Sequence, residues 1–210
     1  MSDAPLVELP DLCAASVVMT LQRVVGITAS PFTLEEQAFR WPGEAWSVDF
    51  RLPPYKSRSD AAQWQAFGLK LKGTYGRFLM GDPAAKMPQG SVSGPAQVNG
   101  SNQTGNILAV TGLTPSTVGI LKKGDYFQVG SGISSKLHFI VDDVTSDASG
   151  NASLTFEPAL RYSPPDGSDV VFENPVGVFR MIENSFSWST DPGKIYRMGF
   201  SAQEIVNLNA

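Results

Sequence analysis

Only one stretch of this chain, residues 57–71, repeats its apolar side chains at helical spacing. Ala61, Trp64, Phe67 and Leu71 fall three, three and four residues apart, which places them on one helical face. Ser59 or Asp60 can cap the start, Asp60 with Gln63 resembles a capping box, and Gly73 supplies a left-handed stop, so the expected helix covers 57–72. Everywhere else the pattern is short and interrupted, with 20 Gly and 15 Pro spread over 210 residues. A chain with one helix and that many turn formers has to build its core from short strands. The expected fold class is therefore mainly β, a sheet or sandwich carrying one packed helix.

The clearest strand is 46–52, where Trp46, Val48, Phe50 and Leu52 point one way and Ser47, Asp49 and Arg51 the other. Phe39 and Trp41 alternate likewise, and Pro42-Gly43 reads as a break between them. Segments 32–41 and 44–52 are thus expected to form an antiparallel hairpin, with 16–27 as a further strand. The stretch 86–105, crowded with Gly, Ser, Asn and Gln, reads as a linker. Beyond it, short alternating runs at 126–129, 136–141, 154–157 and 170–172 are separated by turn sequences such as Asp147-Ala148-Ser149-Gly150-Asn151 and Pro164-Pro165-Asp166-Gly167. Strands of that length at roughly ten-residue spacing suggest a small barrel over 106–173. The tail alternates again at Phe186 and Trp188 and at Tyr196, Met198 and Phe200. Those strands need a sheet to join, so 174–210 is expected to complete the sheet begun by 1–85, leaving the barrel as an insertion.

Residue chemistry narrows the functional classes. The net charge of −4 gives no basic field for nucleic acid, and no apolar run approaches a membrane-spanning length. Residues 1–10 lack the basic start and apolar core of a signal peptide, so synthesis in the cytoplasm is expected. With Cys13 as the only cysteine and His138 as the only histidine, an internal disulfide and every His-pair zinc site are excluded. His138 shares its strand face with Lys136 and Ile140 and reads as a surface or interface residue rather than a general base. Cys13 has no evident activating neighbour. Gly90-Ser91-Val92-Ser93-Gly94 carries valine where a nucleophile elbow needs serine. Asp142, Asp143 and Asp147 could offer oxygens to calcium but lack the spacing of a calcium loop, and a solvated turn explains them more simply. The expectation is a chain without catalytic residues, cofactor or metal.

One series of residues resembles a known family. It runs through Lys122-Lys123-Gly124-Asp125-Tyr126-Phe127-Gln128-Val129-Gly130, Leu137-His138, 144–154, Glu157-Pro158-Ala159-Leu160-Arg161 and Asn174-Pro175-Val176-Gly177-Val178-Phe179-Arg180. With Arg40-Trp41-Pro42-Gly43, the Trp46 strand, 62–67 and Gly73-Thr74-Tyr75-Gly76-Arg77-Phe78, the series covers most of the chain and is similar to the distal tail proteins of long-tailed bacteriophages and prophages. The resemblance implies a tail-tube-like β-domain and a ring, usually of six copies, joining the tail tube to the tip or baseplate. DNA would pass through its lumen without specific binding. Implied partners are further copies of the chain, the tail tube protein and tail hub or tip proteins, at the distal end of the virion. The hairpin containing Trp41 and Trp46 is the candidate ring interface, with core packing the alternative for Trp46. Two other readings stand beside this one: another tube or tip component, and a carbohydrate-binding module using Tyr126, Phe127 or Tyr162 as aromatic platforms.

Overall fold

The computed structural model describes residues 4–11, 14–92 and 95–206. The chain is mainly β, with twelve strands and one α-helix among these residues. Six strands make a sheet: β1 (Ser16–Ala29), β2 (Glu36–Arg51), β3 (Phe78–Met80), β10 (Gly177–Met181), β11 (Trp188–Thr190) and β12 (Tyr196–Glu204). Five of them lie in the order β1-β2-β12-β10-β3, and β11 pairs with β12 off this path. The other six close into a barrel: β4 (Ala96–Val98), β5 (Gly105–Thr111), β6 (Tyr126–Val129), β7 (Lys136–Ile140), β8 (Ala152–Leu160) and β9 (Asp169–Val171). The barrel strands therefore all fall between two passages of the chain through the sheet.

Strand register explains the one-sided sheet. Phe50 lies opposite Val17 on one side and Phe200 on the other, and Val48 opposite Met19 and Ala202. Directly opposed residues share a face, so these form the core side. Asp49, Ser47, Ser201 and Gln203 occupy the opposite, polar side, where the Ser201 hydroxyl donates to Asp49. Helix α1 (Arg58–Leu71) covers the core side with Ala61, Trp64, Phe67 and Leu71 buried. Phe50 stacks on Phe200 with ring centroids 4.5 Å apart, and Phe67 meets Phe78 edge-on at 5.3 Å. Ser57 caps this helix by accepting from the Asp60 amide, a role expected for Ser59 or Asp60. The left-handed end begins at Lys72, one residue ahead of the expected Gly73. At Gly68 the Phe186 ring rests directly on the helix backbone, and an added Cβ would meet it at 2.3 Å.

Two sequence expectations are overturned. Pro42-Gly43 breaks nothing: β2 runs through it, and its hairpin partner is β1, not 32–41. The register slips there, with Arg23 opposite Glu44 but Val25 opposite Arg40. A bulge of this kind accommodates a proline that has no N–H to give to a ladder. The stretch read as a linker is built into the structure. Ala96–Val98 pairs with both β5 and β9, and the buried Asp125 carboxylate accepts from the Gln89, Gly90 and Lys122 amides. Gly90 is obligatory, because a Cβ there would lie 2.1 Å from the Ile120 carbonyl oxygen.

Sheet and barrel share a wall. Leu137, Phe139 and Tyr126 join the sheet core, while Phe127, Val129 and Ile140 fill the barrel core. Both faces of β6 and β7 are thus covered. Hydrogen bonds cross the same seam, from the Trp46 indole to the Leu137 carbonyl at 3.0 Å and from the Val176 amide to Gln128 Oε1 at 3.0 Å. No helix among the described residues is long and apolar enough to cross a membrane.

Candidate assembly interface

Past the bulge, β1 and β2 leave the sheet together as a two-stranded arm. Every strand residue in 24–29 and 36–43 is exposed. The pairing Val25–Arg40, Ile27–Ala38 and Ala29–Glu36 sets one face of the arm; Gly26–Phe39 and Thr28–Gln37 set the other, which Trp41 shares by alternation. Both faces therefore present large apolar side chains: Val25 and Ile27 on one, Phe39 and Trp41 on the other, each at least half exposed. Among the described residues, both long edges are also open. The outer edge of β1 has no strand partner among the described residues, and β12 pairs with β2 only over Ser47–Arg51. A ribbon with two apolar faces and two free edges is a template for association.

The tip of the arm is shaped by its own hydrogen bonds. Ser30 Oγ accepts from the Phe32 and Thr33 amides, the Leu34 amide donates to the Ser30 carbonyl, and the Ser30 amide donates to the Glu35 carbonyl. This turn holds Leu34 at φ 59, a backbone region that bulky residues rarely occupy. It presents Phe32 at 95% and Leu34 at 80% exposure.

The base of the arm is charged and fixed. Glu44 is buried and receives Arg23 Nε at 3.2 Å, Arg40 Nη2, and the Ala159 amide of β8 at 3.2 Å. Arg23 and Arg40 reach on to Glu157 at 3.3 and 3.5 Å. Burial pushes the Glu44 carboxyl up, but the Arg40, Ala159 and Arg23 contacts outweigh it and leave the group below its ordinary value. This network ties the arm to the barrel.

The two interface candidates separate. Trp41 is 60% exposed on the arm, whereas Trp46 is 6% exposed and sits in the seam between sheet and barrel. Val25, Ile27 and Phe39 on the arm, and Phe32 and Leu34 at its tip, carry no sequence mark of exposure, because apolar residues read the same on a solvated ribbon as in a buried strand. His138 is not at a surface. It lies inside the barrel between Phe127 and Phe156, with ring centroids 5.1 and 4.9 Å away. Its Nδ1 donates to the Pro158 carbonyl at 2.8 Å, and burial lowers its pKa to about 4. The alternation was real, but the face opposite Leu137 looks into a second core rather than into water.

Asp147 organises its own turn, accepting from the Ser149 and Asn151 amides, and Asp143 accepts from the Lys123 amide. Among the described residues no group of three His, Cys, Asp or Glu side chains could hold a metal ion. Of the three aromatic platforms, Tyr126 and Phe127 are buried and only Tyr162 is exposed. Burial, with Asp82 beside it, pushes the Tyr126 hydroxyl up to about 12. Cys13, Ser93 and Gly94 lie outside the described residues. Comparison with protein-family models and with curated proteins gives no match for this chain.

Proposed function

We propose that this chain is a structural protein of a phage-type tail, a distal ring that joins the tail tube to the tip or baseplate. The observation that carries the reading is the arm, a ribbon apolar on both faces and, among the described residues, open on both edges. Such a surface is covered when neighbouring copies sandwich it, and repeated head-to-tail contacts of that kind generate a ring when the rotation closes. The residue resemblance supplies the place of the ring in the particle. The sheet with its helix would form the ring, and the barrel, fused through the Trp46 seam, would ride on it as a rigid appendage. In this reading the chain has no catalytic role. Its partners are further copies of itself, the tube protein and hub or tip proteins, with DNA passing through the lumen unbound. It is made in the host cytoplasm and resides at the distal end of the virion.

The experiment is labelling of intact tails with an antibody against the chain. Signal confined to one band at the distal end is expected. Signal repeating along the tail would make it a tube component, and no signal on tails would overturn the reading.

A further inference from the structure

The arm of one copy needs a matching surface on the next, and the chain carries one that complements its tip. A cleft of about 380 Å³ opens where the arm meets the barrel, lined among others by Arg40, Trp41, Pro42, Asn106, Leu160 and Arg161. It combines an exposed aromatic surface with surplus positive charge. Three guanidinium groups, of Arg23, Arg40 and Arg161, and the Lys136 ammonium gather in this region against three carboxylates, of Glu44, Glu157 and Glu204. Glu44 and Glu157 are engaged by Arg23 and Arg40. Arg161 has the buried Glu204 within electrostatic reach but makes no salt bridge among the described residues, and its Nη2 is the one buried side-chain polar atom without a hydrogen-bond partner among them. A buried donor in that state costs free energy until an acceptor reaches it.

The arm tip offers the complement. Phe32 and Leu34 stand out from the turn, and Glu35 and Glu36 follow them immediately, all four exposed. The strained backbone at Leu34 holds this apolar and acidic group in one shape before any partner arrives. Tip and cleft are separate surfaces at opposite ends of the arm, so each copy can give its tip to one neighbour while receiving the tip of another, a heterologous contact.

Resting on the ring reading above, we infer that the arm tip of one copy docks in the arm-base cleft of the next. Phe32 and Leu34 lie against Trp41 and Pro42, and Glu35 or Glu36 meets Arg161. The two carboxylates steer the encounter and select this register over one that buries Arg161 unpaired.

The test places a photoreactive amino acid at position 35 in isotopically heavy chain, mixes it with light wild-type chain, and maps the adducts by mass spectrometry. Heavy-to-light adducts on residues 40–42, 106 or 159–161 are expected. A second measurement uses charge reversal. Glu35→Arg with Glu36→Arg is expected to weaken assembly at least tenfold, and Arg161→Glu added to it to recover most of the loss. Because 35 and 36 are exposed, the fold survives their substitution, and the crosslink result does not depend on the Arg161 variant. Assembled particles whose adducts map elsewhere would overturn the docking while leaving the ring in place. A wild-type chain that stays monomeric throughout would overturn the ring reading itself.

Discussion

His138 shows how a single side chain sets a pH dependence. Inside the barrel its pKa falls to about 4 from an ordinary 6.5, with burial as the main cause. The unfolded chain therefore binds more protons than the folded one between those two values. Stability is complete above about pH 6.5 and is lost as pH falls toward 4. Each unit of separation is worth about 1.4 kcal/mol, so roughly 3 kcal/mol is at stake. Urea unfolding at a series of pH values should show that decline. His138→Phe, which removes the only histidine, should flatten it; an unchanged slope in the variant would contradict the assignment. Glu44 is the second sensitive residue. Its loss leaves two arginines and the Ala159 amide without their shared acceptor. Glu44→Ala is expected to cost roughly 2 kcal/mol in the same denaturation measurement.

At the scale of elements, the helix and the arm behave in opposite ways. Helix α1 is stabilised from within: Trp64 is fully buried beside Phe50, Phe67 and Phe200. Trp64→Ala should therefore lower the unfolding free energy by about 3–5 kcal/mol. The arm contributes little to the monomer. Trp41→Ala should change its stability by less than about 0.5 kcal/mol, yet weaken assembly by about 2 kcal/mol or more, as tryptophans at interface centres do. Sedimentation of the variant against wild type separates the two effects. Helix α1 was legible because the spacing of Ala61, Trp64, Phe67 and Leu71 has no strand alternative. The 46–52 strand and four of the barrel strands were legible from alternation. Less visible were features set by distant partners. The passage of β2 through Pro42 depends on a bulge opposite Val24, strand β4 on partners in β5 and β9, and the burial of His138 on a second core behind it. Trp41 and Trp46 look alike in sequence, five residues apart, and only the point at which the ribbon leaves the sheet distinguishes them.

At the scale of the molecule, sheet and barrel act as one body. Trp46 donates across the seam to Leu137, Lys136 Nζ donates to the Ile205 carbonyl, and the buried Glu204 accepts from the Trp46 amide. The barrel's position relative to the arm is therefore set before any assembly, so every copy in a ring would present its barrel in the same direction. The arm, with its shaped tip and anchored base, is the element by which such a body would join its neighbours. The central claim is that this joining is intrinsic to the chain, and the most direct measurement is the solution mass of the purified protein by light scattering, with negative-stain images of the same sample. A closed ring of about 135 kDa, six copies of a 22.5 kDa chain, is the predicted result. A single species at the mass of one chain, with its arm exposed to solvent, would contradict it.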